Sequence, residues 1–315
     1  MKKGLLISAI ASFILIGCGG GDNNNTSTQP VKTSPKTYLG AATVGDFAKV
    51  TFDGVNLKYD INGIKLVQKS GTVKITKNLN NFVYQDSDGR YYLASGGIMF
   101  SKVDDVPVFT LNNTTTNASD FAGKKYNLIV ITNDSVSLKK LTINDNKTWS
   151  FDSGENGTWL FKDDHIIVKS DGKEIANIII NKANGHTALV VDFIYGDVAI
   201  GAEASAIETT NDTFNTAWLS DNNGCYGNIK VNGDKFTQHE EQCTDGDPDP
   251  DITGNLTLNP TIDGTKYNGL FKYNVPGYGA EGYGFYDKAN GLFVSVAISG
   301  AYTGTITAGS NKPFQ

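Results

Sequence analysis

Apolar side chains recur at every second position of this chain in short runs, and each run is cut off by Gly, Asn or Asp. Val50-Thr51-Phe52 before Asp53-Gly54, Leu141-Thr142-Ile143 before Asn144-Asp145 and Ile229-Lys230-Val231 before Asn232-Gly233 all alternate and then stop at a turn pair. That is the pattern of a half-buried hairpin strand. A second kind of segment opens on glycine, as in Ser70-Gly71-Thr72-Val73, Asn156-Gly157-Thr158-Trp159 and Thr253-Gly254-Asn255-Leu256. A third places a turn, at Asp88-Gly89, Lys182-Ala183-Asn184-Gly185 and Lys288-Ala289-Asn290-Gly291, ahead of β-rich runs such as Leu189-Val190-Val191 and Leu292-Phe293-Val294. The three signals follow one another in the same order three times. Three units are therefore expected, over residues 38–113, 118–205 and 212–308, with polar joints such as Asn112 to Asn117. No long segment keeps a period of 3.6, so the expectation is an all-β chain of tandem antiparallel barrels or sandwiches, each with its own core.

One segment breaks the alternation. Lys2 and Lys3 precede an apolar run ending in Leu15-Ile16-Gly17-Cys18, shorter than the roughly 20 residues that a bilayer-spanning helix needs. The basic start, the apolar run, the small residue and the cysteine resemble the signal peptide of bacterial lipoproteins. The resemblance implies a leader over residues 1–17, cut before Cys18, and diacylglycerol and palmitate chains on Cys18. Each buried methylene contributes about 0.8 kcal/mol, so several chains would anchor the protein without spanning. In the resembling proteins of diderm bacteria an Asp after the cysteine favours the inner membrane. Gly19 stands there, which implies lipid anchoring at the outer membrane, with the periplasmic or surface leaflet left open. Residues 18–37 are mostly Gly, Asn, Ser and Thr, with Val31 the one aliphatic side chain, and are expected to form a flexible tether.

Without Lys2 and Lys3 the 27 basic residues fall to 25 against 33 acidic ones. Nucleic acid is a poor partner for such a chain, because its binding rests on clustered Lys and Arg. Arg90 is the sole arginine, which argues against bidentate clamps on phosphate or carboxylate. With Cys18 consumed by lipid, Cys225 and Cys243 remain as an even pair in an oxidising compartment, where a disulfide is expected. The segment between them reads as a hairpin turning at Asn232-Gly233, and a bridge across its open end would contribute about 3 kcal/mol. A thiolate metal or redox site would want a Cys-x-x-Cys spacing, which is missing.

The middle unit carries a more specific pattern. Phe121-Ala122-Gly123-Lys124-Lys125-Tyr126, the hairpin Leu141 to Phe151 and the strand Asn156-Gly157-Thr158-Trp159 resemble the lipocalin-like lipoprotein modules of bacteria, with Lys125-Tyr126 where those modules usually place tryptophan. What the resemblance implies is a small antiparallel barrel or sandwich with a capacity for binding; many such modules have no assigned activity. Closed barrels would also remove exposed strand edges.

Catalytic constellations are not found. The chain has no Gly-x-Ser-x-Gly elbow and no phosphate-binding loop, and His239-Glu240-Glu241-Gln242-Cys243 lacks the second histidine of His-Glu-x-x-His. Ser137 to Lys140 and Ser170 to Lys173 match Ser-x-x-Lys, but on strand or turn sequence where the pair cannot share a helical turn. His165 and His186 border apolar runs and read as strand-edge residues. Paired carboxylates such as Asp163-Asp164 fall in turns, where Asp is favoured for its local hydrogen bonds.

Two surfaces stand out. Asp245, Asp247, Asp249 and Asp251 alternate with Gly and Pro, as oxygen ligands for Ca²⁺ would, although Pro250 and Leu256 occupy positions where an EF-hand wants Gly and Glu. The competing reading is a solvated acidic loop stiffened by proline. Tyr273, Tyr278, Tyr283 and Tyr286 lie in a run rich in Gly and aromatics, and would suit a glycan or a protein partner if exposed, or fill a barrel if buried. The composite expectation is a non-enzymatic, lipid-anchored envelope protein that binds a ligand or partner or acts as a spacer. The alternative is a lipocalin-like carrier of a small apolar molecule, which requires a hollow barrel. An envelope hydrolase ranks last.

Overall fold

The computed structural model describes residues 27–112, 117–132, 135–162, 164–183, 186–219, 224–244, 246–299 and 305–314. The leader, Cys18 and Asp245 lie outside the described residues, as do Asp163 and most of the joint between the first two units. Three closed antiparallel barrels of eight strands follow one another. The first runs from strand Lys36–Ala42 to Val106–Asn112, the second from Lys124–Ile131 to Asp197–Glu203, and the third from Thr210–Leu219 to Ile306–Ser310. In each, strands pair in chain order and the eighth closes on the first, through Leu39 opposite Leu111, Ile129 opposite Ile200 and Ala217 opposite Ala308. The all-β expectation holds, and barrels rather than sandwiches are the form it takes. Closure leaves no open edge in any of the three barrels, and a separate two-stranded ribbon, Thr261–Ile262 with Thr265–Lys266, lies between the fourth and fifth strands of the third.

The turn and glycine signals have identifiable causes. The alternating runs are the second strand of every barrel, Asp46–Phe52, Val136–Ile143 and Gly224–Gly233, and the glycine-led segments belong to the fourth, Lys69–Asn78, Asn156–Lys162 and Ile252–Leu258. The fourth-strand glycine lies directly across from a third-strand aromatic: Gly71 opposite Tyr59, Gly157 opposite Trp149 and Gly254 opposite Phe236. The ring folds over the glycine inside the barrel, so that a methyl group on Gly254 would sit 2.3 Å from Phe236 Cε1. Only a residue without Cβ accepts the ring there.

The third signal aligns less well. Lys182 to Gly185 and Lys288 to Gly291 do precede the seventh strands, His186–Phe193 and Leu292–Ser299, but Asp88-Gly89 precedes the sixth strand of its barrel, Tyr91–Ala94. The seventh strand there, Ile98–Val103, follows Ser95-Gly96-Gly97 instead. Asp86 Oδ1 accepts the amides of Asp88 and Arg90, a local turn that any hairpin can use. The hairpin of the third barrel likewise turns one residue later than expected, at Gly233-Asp234, because Asn232 pairs with Lys235 and Gly233 takes a φ of 66°.

Each barrel has an interior core, and the three barrels share another. Phe52, Tyr84 and Tyr92 fill the first, and Phe121, Trp149 and Trp159 fill the second, where both indole N–H groups donate to backbone carbonyls. The outward faces of the same strands pack against neighbouring barrels: Leu39, Phe100 and Leu111 of the first, Ile129, Val190 and Ile200 of the second, and Phe285, Val294 and Ile306 of the third form one buried cluster. Runs such as Leu189-Val190-Val191 are continuous because both faces are buried, one in a barrel and one between barrels. Separate cores are thus only half of the architecture.

Both terminal segments of the described chain lie on the first barrel. Thr28 pairs with Asn78, and the Thr33 amide donates to Asp53 O at 2.7 Å. The second half of the expected tether is therefore strapped to the barrel wall, a correction to the flexible reading of residues 18–37. From the other direction Pro313 pairs with Ser95, and Phe314 places its ring 4.8 Å from that of Phe52 inside the first barrel. The last barrel thereby plugs the first.

Candidate ligand-binding site

The third barrel differs from the other two in its filling. Phe214, Phe271, Tyr286 and Phe293 pack its lower half, with ring centroids of Phe271 and Phe293 5.5 Å apart. Above them the inward positions become small: Ala280 on the sixth strand, Ser295 and Ala297 on the seventh, and Thr305 and Thr307 leading into and on the eighth. A cavity of about 350 Å³ results, at the small end of the volumes that hold ligands. Ile229, Phe236, Leu256 and Val275 supply apolar walls, and Gln238 and Glu240 the polar wall.

The glycines of the aromatic run explain how rings are seated here. Tyr273 lies opposite Gly282 and Phe271 opposite Gly284, and a methyl group on Gly282 would approach the Tyr273 ring to 2.3 Å. Tyr273 crosses the barrel interior, 5.9 Å from Phe236, and burial raises its phenol above its ordinary range, so it remains a neutral hydroxyl. The run therefore does not form one face. Tyr273 lines the cavity wall and Tyr278 its rim, where Tyr278 is 51% exposed. Tyr283 points outward into the shared core. Tyr286 lies at the far end of the barrel interior, donating its hydroxyl to Glu208 O. Tyr286 also borders a second hollow of about 520 Å³ where the chain crosses from the second barrel to the third, with His186 on its margin.

Cys225 and Cys243 are directly opposed on the second and third strands and form a disulfide, as expected. It sits at the open end of the cavity, next to the acidic insertion that joins the third and fourth strands. Asp247 and Asp249 of that insertion are exposed at the rim. The Asp249 amide donates to Glu240 Oε2 at 3.0 Å, while Asp251 turns away to His239 Nδ1 at 2.7 Å. Among the described residues, the one group of three His, Cys, Asp or Glu ligands close enough to share an ion is Cys225, Glu240 and Cys243. Its two sulfurs are already bonded to each other. The described aspartates of the insertion are thus divided between the rim and His239.

The other residues singled out in sequence fall away from the cavity. Ser137 and Lys140 share one strand, and Ser170 pairs with Lys173 across a hairpin. His165 bonds Asp164 and packs its ring 5.3 Å from Phe47 of the first barrel. Glu240 was not anticipated as a site residue. It shares its inward parity with Phe236 and Gln238 on strand Lys235–Cys243, which alternation could have disclosed.

The fold and the cavity together define a triple-barrel protein whose third barrel holds a cavity. No protein-family model matches the chain, and no curated protein matches it in sequence. Among solved structures it is similar to the isotype 1 transferrin binding protein B of serogroup B Neisseria meningitidis, at 12% identity over 86% of this chain and 66% of that one, with a TM-score of 0.31. It is also similar to a transferrin binding protein B of Haemophilus parasuis Hp5, at 11% identity over 84% and 65%, with a TM-score of 0.28. The matches span just under two thirds of either protein.

Proposed function

We propose that the chain is a lipid-anchored protein of the outer membrane whose third barrel carries a small, largely apolar molecule and performs no chemistry on it. The observation that supports this reading is the cavity in the third barrel: aromatic rings fill its lower half, and above them small residues on the sixth, seventh and eighth strands leave about 350 Å³ open between apolar walls. Removing apolar surface from water drives such a molecule in, at roughly 25 cal/mol per Å² buried. The neighbouring barrels, with their shared core, then act as a rigid mount. Among the described residues no helix is long and apolar enough to cross a membrane. Attachment is assigned to acylated Cys18 on the lipoprotein-like pattern of residues 1–18.

Two variants test the parts separately. A neutral fluorescent probe, N-phenyl-1-naphthylamine, should bind with a blue-shifted, enhanced emission, and Ala297→Phe, which fills the cavity from the seventh strand, should weaken it at least tenfold while leaving the far-ultraviolet spectrum unchanged. Equal binding by the filled variant would place the probe elsewhere and remove the carrier reading. Cys18→Ala should abolish labelling by a palmitate analogue, since no other cysteine follows an apolar leader. Persistent labelling would remove the anchor.

A further inference from the structure

We infer that the molecule held by the third barrel is a small organic cation, an ammonium group on an apolar body. This rests on the carrier reading above and adds the charge of the cargo. Among the described residues the cavity is lined by three carboxylates, those of Glu240, Asp247 and Asp249, and by no Lys, Arg or His. Glu240 is half-buried on the cavity wall, and its oxygens meet no cation among the described residues: the Asp249 amide donates at 3.0 Å and Gln238 Nε2 at 3.5 Å, and the disulfide sulfur of Cys243 lies 3.5 Å away. No ion pair to Glu240 occurs among the described residues. A carboxylate drawn out of bulk water without a counter-charge attracts a cation more strongly than an exposed one does, because the surrounding dielectric is lower.

The aromatic lining points the same way. Phe236 and Tyr273 present rings within the cavity, and Tyr278 stands on its rim. The faces of such rings carry negative potential and bind ammonium groups, best when these are poorly hydrated, as quaternary ammonium is. An anion would meet three like charges and those ring faces with nothing positive to receive it. A neutral molecule would gain from burial but leave Glu240 unanswered. At longer range, the excess of 33 acidic over 27 basic residues favours the approach of cations.

The test is competition against bound N-phenyl-1-naphthylamine by three matched compounds: benzyltrimethylammonium, its uncharged carbon isostere neopentylbenzene, and benzylsulfonate. The expected order is cation first, at least tenfold tighter than the isostere, with benzylsulfonate weakest, and the preference should shrink as salt is raised. Glu240→Gln should remove most of that preference, read as the ratio of the cation's to the isostere's affinity within the same variant. Asp247→Asn with Asp249→Asn, both at exposed positions, should remove a smaller part. If the isostere competes as well as the cation and Glu240→Gln changes nothing, the charge assignment is overturned while the carrier reading stands. If neither naphthylamine nor any of the three binds, both are overturned together.

Discussion

Phe285→Ala should lower the stability of all three barrels at once, by about 3 to 5 kcal/mol, the range for deleting a fully buried phenylalanine. Phe285 is completely buried on the outward face of the third barrel's sixth strand, in the cluster to which every barrel contributes. A core shared in this way couples units that would otherwise melt one by one. Scanning calorimetry should show one main transition in the parent protein that moves as a whole in the variant. Three resolved transitions, of which only the last moves, would show that the barrels are energetically independent despite their contact.

Stability should fall as pH rises from about 4 to about 7, and Asp192→Asn should abolish most of that fall. Asp192 is 3% exposed, and burial pushes its carboxyl from an ordinary 3.8 up to about 7, against a lowering hydrogen bond from Asn177 at 2.9 Å; the charge of Asp46 adds to the rise. Its Oδ1 has no hydrogen-bond partner. Asp46 is itself fully buried but accepts the amides of Ile64, Lys65 and Leu66. In the folded protein Asp192 keeps its proton through a window in which the unfolded chain has released it. The fold thus binds more protons than the unfolded state there, and stability is full below about 4 and lost by the time pH passes about 7. The loss is on the order of 4 kcal/mol. Denaturant titrations at pH 4.5 and 8 check it: the asparagine variant should gain on the parent at pH 8 and match it at pH 4.5. A parent equally stable at both values would refute the buried neutral carboxyl.

Much of the fold is written in period-two alternation and in a few glycines, because closure of a barrel makes inward and outward positions alternate along every strand. Gly71, Gly157 and Gly254 could be matched across the units since each must admit an aromatic ring from the strand before. Asp88-Gly89 misled because its turn chemistry is local and carries no information about which hairpin it closes. The shared core was not legible. A run such as Leu189-Val190-Val191 looks the same whether its second face meets a ligand, a membrane or another barrel.

The site was legible only in pieces. Tyr273 and Tyr278 stood out for their glycine setting, Asp247 and Asp249 for their spacing, and Cys225 and Cys243 for their number, yet nothing local joins them. Barrel closure does, by bringing the sixth strand and the insertion after the third to one open end. The hollow itself is a matter of which inward positions are small at the same height. That depends on the register of several strands, such as Val296 opposite Ile306 and Tyr273 opposite Gly282. Single-strand patterns do not specify it.

The most direct test of a ligand-carrying third barrel is a methyl-labelled NMR titration with N-phenyl-1-naphthylamine. The alanine and isoleucine methyls of Ala280, Ala297, Ile229 and Ile252 line the cavity, and those of Ile143, Ile166 and Ile178 fill the second barrel. Saturable shifts, with probe-to-methyl nuclear Overhauser effects, are expected in the first group alone. Shifts spread over the second group, or absent from both, would contradict a ligand held in the third barrel.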